Sequence, residues 1–269
     1  MVDNLSFLYN DEEKLKYTRI LEKAHNALKN HTPEPVCFVD PFWQEMSTAI
    51  ANQDDEIKAE FFGGINNAES KFLVFAPWYI ETDPNDYVSV ICFDNPFNDI
   101  KHSDVLGKIL SLGVDRRVVG DIIVSDKVYV VVGKSIEGYI LTEFRDIRRH
   151  SINPYTVQYN IDMPKPNYKE NTFIVPSMRL DAVVSKIYNI SRNESQDKIS
   201  KGLLKLNYRV LDKISYEITE KCLLSLRGYG RVRVVEVLGQ TQKGNLRIKT
   251  ERLIWFIFYF QFCWLRLIK

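Results

Sequence analysis

The stretch of this 269-residue chain that most constrains its fold runs from Met178 to Asn207. From Met178 to Ile187 the apolar residues have helical spacing. A second helix is predicted to begin at Ser191, because Ser191 and Glu194 have the spacing of a capping box. Gly202 can then adopt the left-handed conformation that commonly ends a helix. The stretch therefore predicts two short helices, and apolar runs after Gly202 predict a set of strands.

The same part of the chain is basic, whereas the rest is acidic. Residues 176–250 contain 15 Lys and Arg against 7 Asp and Glu, and residues 1–175 contain 18 against 27. In the predicted strand Arg231–Val237, arginine alternates with valine, so Arg231 and Arg233 should share one exposed face. A solvated charged surface is the plain interpretation of such a run. A basic unit joined to an acidic body instead indicates a polyanion that binds at one end.

The order of these features resembles the S4 domain, a small RNA-binding module. Its signature positions are matched here by Arg179, Asp181, Ser191, Arg192, Lys201, Gly202 and Asn207. The resemblance implies that Arg179, Arg192, Lys201 and Lys205 contact phosphate, and that Ser191 and Asn207 position the backbone. The predicted RNA-binding set is completed by Arg209, Arg231 and Arg233. Ser195 stands where the module usually has alanine.

We predict an α/β (α+β) protein in three parts. An N-terminal α/β domain is expected at residues 1–85. A β-α-β-β-α-β pattern predicts a ferredoxin-like, RRM-like middle domain at residues 86–163. Polar, proline-containing residues 164–175 are interpreted as a linker. The S4 domain, of the αL type, is expected at residues 176–250, followed by an apolar tail at residues 251–269.

The remainder of the chain resembles one S4 family, the YlmH-type proteins. The matching motifs are Phe38–Pro41, Gly63–Gly64, His102–Gly107, Leu112–Arg116, Gly120–Val124 and Arg227–Arg231. This resemblance implies a bacterial-type RNA-binding factor without catalytic residues. It implies rRNA and the large ribosomal subunit as partners, in rescue or quality control of stalled ribosomes, with peptidyl-tRNA as a further partner.

The middle domain of that family is RRM-like, but the strand Val128–Val132 is mostly aliphatic and lacks the aromatic signature on which such domains stack bases. We therefore interpret this sheet as a scaffold. Arg116 and Arg117 are candidates for a second phosphate contact, and plain surface arginines are an equal alternative.

The four cysteines have no CxxC spacing, which favours reduced thiols and argues against a metal site. The acidic N-terminus has no apolar signal segment. We expect a cytoplasmic monomer that needs no cofactor and has no stable membrane partner.

An RNA-modifying enzyme, similar to a pseudouridine synthase or a methyltransferase, is the alternative. Arg179-Leu180-Asp181 superficially resembles a pseudouridine synthase motif, but its place in the first predicted helix makes Asp181 structural. The sequence has no glycine-rich loop after a strand of the kind that would indicate a methyl-donor site. The apolar run 253–265 is too short to span a bilayer, which needs about 20 residues. It is either an interfacial or docking segment or an aberrant C-terminus.

Overall fold

The computed structural model describes residues 8–161 and 167–254 and contains both helices and antiparallel sheets. The predicted mixed α/β class is confirmed. No helix within these ranges is long and apolar enough to cross a membrane. The apolar run 253–265 lies almost entirely outside these ranges.

The first sheet packs beneath two helices. Its order is β1-β3-β2, and every neighbouring pair is antiparallel. The elements are α1 (Asp11–Asn30), β1 (Glu34–Val39), α2 (Pro41–Ala51), β2 (Ile57–Phe62) and β3 (Lys71–Pro77). α1 begins where the Asn10 side chain accepts the backbone N–H of Glu13, and it ends at His31 in the left-handed conformation. Strand β2 was not predicted, because charged residues interrupt its apolar pattern.

The second sheet is four-stranded, in the order β5-β6-β4-β9. Its neighbouring strands are all antiparallel, which is the arrangement that a split βαβ pattern produces. The elements are β4 (Val88–Asp94), α3 (His102–Ser111), β5 (Val119–Val124), β6 (Lys127–Gly133), α4 (Glu137–Glu143), β7 (Asp146–Ile147), β8 (His150–Ser151) and β9 (Tyr155–Val157). Strands β7 and β8 form a separate small hairpin.

Both faces of the second sheet are covered. One face packs against α3 and α4 through residues such as Ile91, Val130 and Ile140. The other packs against the first sheet in a shared apolar cluster, formed by Phe38, Phe62, Phe72, Val74, Val88, Val90 and Val131. Bases therefore cannot stack on either face without displacing part of the core.

The third sheet has six strands in the order β10-β15-β14-β13-β11-β12. The elements are β10 (Asn167–Val175), α5 (Leu180–Tyr188), α6 (Arg192–Ser200), β11 (Leu204–Leu206), β12 (Arg209–Val210), β13 (Cys222–Leu226), β14 (Gly230–Gln240) and β15 (Leu246–Ile254). Helices α5 and α6 pack on the face that carries Leu224, Val232 and Val234. The residues that alternate with these point to the opposite face.

Helix α4 is short, because Phe144, directly after it, is fully buried against Phe93. Two predicted boundaries are wrong. The proposed linker 164–175 becomes a strand from Asn167, since β10 pairs with β15 along its whole length. The apolar tail does not begin at residue 251: β15 continues to Ile254, and residues 255–269 lie outside the described ranges.

Candidate nucleic-acid interface

Helices α5 and α6 approach each other near their N-terminal ends, where Asp181 of α5 contacts Arg192 and Ser195 of α6. Arg179 precedes α5, and the Ser191 hydroxyl caps α6 by accepting the backbone N–H of Glu194 at 3.1 Å. Gly202 follows α6 with a φ of +66°, which suits glycine. The positive ends of both helix dipoles therefore lie close together, which favours anions at this end of the pair.

A buried carboxylate organises this end of the helix pair. Asp181 is 0% exposed, and its oxygens accept hydrogen bonds from Arg179 Nε at 3.2 Å, Arg192 Nε at 2.9 Å and Gln196 Nε2 at 2.9 Å. Ser195, also buried, donates its hydroxyl to the Asp181 carbonyl at 3.0 Å. The serine that replaces the usual alanine thus adds a bond to the same cluster.

The charges of this cluster favour an anionic ligand. Burial alone raises the pKa of Asp181, but the hydrogen bonds from Arg179, Arg192 and Gln196 outweigh it and hold the pKa well below its usual range. The carboxylate therefore stays ionised and pairs with two guanidinium groups, leaving one net positive charge. The Arg192 side chain remains 50% exposed. Its outer N–H groups can reach a phosphate while Nε holds its orientation.

Two more of the predicted RNA-binding residues, Lys201 and Asn207, lie near the C-terminal end of α6 and have separate roles. Lys201 is exposed at the end of α6 and pairs with Asp197 at 2.8 Å. Asn207 adopts a φ of +47°, and its Oδ1 accepts the backbone N–H of Leu223 at 2.7 Å. Asn207 therefore shapes the turn after β11. α6 is about 13 Å long at 1.5 Å per residue, so Arg192 and Lys201 mark its two ends.

Three more predicted residues lie on the opposite face of the sheet. Lys205, Arg231 and Arg233 alternate with buried neighbours that face the helices. Arg231 binds both carboxylate oxygens of Glu69 at 2.6 Å. Arg233 lies 4.0 Å from Glu251. Burial is the main cause that lowers the pKa of Lys16, and the positive charge of nearby Lys205 acts in the same direction. The structure does not bring these residues together with Arg179 and Arg192.

Arg209 also lies away from the helix pair and has partners from the N-terminal part of the chain. Its guanidinium lies 3.6 Å from the ring centre of Tyr9 and 4.5 Å from that of Phe42. It donates to Glu13 at 2.7 Å, and its side chain is only 16% exposed. These contacts make Arg209 a joint between β12 and α1.

The two candidates in the second sheet unit are also paired. Arg117 is held by Asp115 at 2.6 Å, and Arg116 donates to the carbonyl of Val119. His102 begins α3, and its burial, together with nearby Arg116 and Arg231, lowers its pKa. His102 is thus near both Arg116, which follows α3, and Arg231, which lies on the face of the third sheet opposite helices α5 and α6.

Comparisons with known proteins match this architecture. Residues 82–160 match a family model described as "Putative RNA-binding domain in YlmH". The chain is also 28% identical, over 246 residues, to the Ribosome-associated protein quality control protein P2 of Bacillus subtilis. That alignment covers 90% of this chain and 93% of the relative. The resemblance to YlmH-type proteins is confirmed.

A solved structure shows the same fold over part of the chain. The Cell division protein ylmH from Streptococcus pneumoniae superposes with a TM-score of 0.50 at 16% sequence identity. The match covers 56% of this chain and 93% of that one. The YlmH-type resemblance thus extends to the fold, and the RNA-binding description falls on the second sheet unit, which the sequence had indicated only as a scaffold.

Sequence reasoning missed one member of the helix-pair cluster. Gln196 completes the set of donors around Asp181. The available signal was its position four residues after Arg192, which places both side chains on one face of a helix.

Proposed function

We propose that this protein binds structured rRNA on the large ribosomal subunit through an S4-type module at residues 176–250, in rescue or quality control of stalled ribosomes. Peptidyl-tRNA is a further proposed partner. The N-terminal domain (residues 1–85) and the middle domain (residues 86–163) complete the proposed organisation. The protein acts as a cytoplasmic monomer and performs no catalytic step itself.

The observation that carries this proposal is the ionised, buried Asp181 between two arginines. It presents Arg179 and Arg192 where two helices begin, so their side-chain charges coincide with the positive ends of both helix dipoles. Phosphate is the anion that such a forked arrangement suits. The ribosome-associated name of the Bacillus subtilis relative supports rRNA as the polyanion.

The proposed contact surface is smaller than the nine residues of the sequence-based set. It comprises Arg179, Arg192 and Lys201, with Ser191 and Asn207 holding the backbone that carries them. Lys205 and Arg233 would form a second, weaker region on the outer sheet face, whereas Arg231 is held by both carboxylate oxygens of Glu69. Arg209 is left out, because its guanidinium is enclosed by Tyr9, Phe42 and Glu13.

An RNA-modifying enzyme finds less support. Asp181 would be the catalytic aspartate of a pseudouridine synthase-like motif, yet it is buried and engaged by three side chains. Neither the family description nor the names of the relatives is that of an enzyme class.

Sedimentation of the protein with ribosomes from its own cells tests the proposal. We expect the wild type to migrate with the large subunit, and the Arg192→Gln/Lys201→Gln variant to remain near the top of the gradient. Lys213→Gln/Lys243→Gln removes the same charge from exposed positions of the same sheet unit and should still migrate with the subunit. Equal migration of both double variants, with unchanged thermal unfolding, would exclude the helix-pair surface.

A further inference from the structure

A cleft lies at one end of the second sheet, within the stretch that matches the RNA-binding family model. Its volume is about 240 Å³. The loop after β4 and the β8 hairpin line it, chiefly through Asn95, Phe97, Asp99, Arg149 and His150. Pockets for drug-sized ligands usually measure roughly 300–1,000 Å³. The cleft is therefore suited to a single planar group rather than to a large cofactor.

We infer that this cleft takes one unpaired RNA base and prefers guanine to uracil. This inference rests on the proposed RNA-binding function and adds a second contact, remote in sequence from the helix pair. Because neither face of the second sheet is open, the cleft also offers a way for this unit to contact RNA without stacking bases on the sheet.

Phe97 supplies the stacking surface. Its ring is 71% exposed, which is unusual for phenylalanine, and it lies on the His150 ring with centres 5.3 Å apart and planes 24° apart. Aromatic side chains that stack on unpaired bases are a common feature of RNA recognition. An incoming base can stack on this ring once the ring turns away from His150.

Two buried oxygens supply the selectivity. Asn95 is 2% exposed, and its Nδ2 donates to the Ser125 carbonyl at 2.8 Å, which defines the orientation of its amide. Asp99 pairs through Oδ2 with His150 Nε2 at 2.9 Å. The remaining oxygens, Asn95 Oδ1 and Asp99 Oδ1, have no hydrogen-bond partner among the described residues. Buried acceptors without a donor are uncommon in folded proteins.

A ligand that satisfies these oxygens must bring hydrogen-bond donors. The pairing edge of guanine presents a ring N–H beside an amino group, whereas uracil places a carbonyl on each side of its single N–H. Both oxygens are covered in the unbound conformation. The base reaches them when the exposed Phe97 ring moves from His150 onto the base.

Arg149 completes a nucleotide site. It is exposed at the rim of the cleft, and it has no ion-pair partner within the described parts of the chain. Neighbouring Arg148 differs, because its guanidinium contacts the Asp99 carbonyl and lies 3.5 Å from Asp104. Arg149 can therefore bind the phosphate that accompanies the base.

Binding of labelled AAGAA and AAUAA pentaribonucleotides to the full chain tests the inference. The two probes share their phosphates, so any difference in affinity reports the central base. We expect AAGAA to bind about tenfold more tightly. Phe97→Ala should weaken AAGAA binding by about fivefold or more, since a stacked base contributes roughly 1–3 kcal/mol. Trp78→Ala removes another exposed aromatic ring, outside the cleft, and should leave binding unchanged.

Asp99→Asn provides a test of base readout. The amide oxygen should keep the bond with His150 Nε2–H, so that an N–H₂ group replaces the free oxygen. The preference should then move from AAGAA towards AAUAA. Equal affinity of the wild type for both probes, as a cleft occupied by water alone would give, overturns the inference. So does a Phe97→Ala variant that behaves like Trp78→Ala. Failure of the proposed function itself is distinguishable, because binding of structured rRNA would then not depend on Arg192 and Lys201.

Discussion

At the scale of single residues, Asp181 determines what the helix pair can bind. An isolated buried carboxylate would be costly, and it would repel phosphate. Here three side chains hold it ionised, and two of them are arginines that remain partly exposed. The acid therefore lowers the number of conformations open to Arg179 and Arg192, which reduces the entropy they lose on binding RNA.

Asp181→Asn should destabilise the protein by about 2 kcal/mol at neutral pH. Removing one partner of a fully buried ion pair costs roughly 3–5 kcal/mol, and the exposure of both arginines reduces this value. The folded-state pKa lies below the unfolded one, so the contribution of Asp181 is complete above about pH 4 and is lost as the pH falls through the folded pKa. Urea unfolding at pH 7 and pH 3 should show the difference between wild type and variant narrowing at pH 3.

Ser195→Ala is the control for that variant. It removes a single hydroxyl bond to the Asp181 carbonyl and leaves every charge in place. The expected cost is about 1 kcal/mol, and the difference from wild type should be the same at both pH values. If the loss of stability in Ser195→Ala changed with pH, a group other than Asp181 would be responsible for the pH dependence of unfolding.

The residue pattern predicted roles that depend on local sequence and missed those that depend on distant partners. Ser191 caps its helix and Gly202 ends it, because both effects act within a few residues. Arg209 was assigned to RNA, although its partner Glu13 lies 196 residues away along the chain. A net charge cannot distinguish an arginine that meets RNA from one that meets its own acidic domain.

At the scale of elements, hydrogen bonding between strands sets the boundaries that the amino-acid composition of the segments predicted wrongly. Residues 167–171 are polar and were interpreted as a linker, yet they form a strand because β15 offers a partner along the whole length. A polar edge strand has one solvated side and needs little apolar sequence. Glu251 continues β15 for a different reason, because this inner strand is paired there on both sides, with Glu170 of β10 and Arg233 of β14.

The joint between β12 and α1 gives a prediction at this scale. Arg209→Ala should destabilise the protein by about 2 kcal/mol, because Glu13 loses a charged partner and two aromatic rings lose a stacked guanidinium. Hydrogen exchange at the start of α1 should become faster, while affinity for rRNA stays within twofold of wild type. Arg227→Ala, at an exposed position next to β13, should change neither quantity. A loss of RNA affinity at unchanged stability would return Arg209 to the RNA surface.

At the scale of the whole molecule, the first two sheets share one apolar cluster, and glycine permits their close approach. Gly64 has a φ of +75°, and a Cβ there would lie 2.7 Å from Val131 Cγ1. Gly64→Ala should therefore destabilise the protein by about 2–4 kcal/mol, through backbone strain and overpacking together. Gly113→Ala isolates the strain, because Gly113 has a φ of +81° and open space around it. Unfolding midpoints that fall equally in both variants would mean that the sheets can separate to admit a methyl group.

The division of charge along the chain has two consequences for the whole molecule. Part of the basic surplus of residues 176–250 is used internally, where Arg209 meets Glu13 and Arg231 meets Glu69. The cations of the helix pair stay available to a polyanion, and their phosphate contacts release counterions. The affinity for rRNA should therefore fall linearly with salt on a double logarithmic plot, although the net charge of the chain is only +1.

Arg192→Gln/Lys201→Gln should make the slope of that plot shallower by about 1.5–2, whereas Lys213→Gln/Lys243→Gln should leave the slope unchanged. Equal changes in the two double variants would show that total charge, rather than the surface organised by Asp181, governs binding.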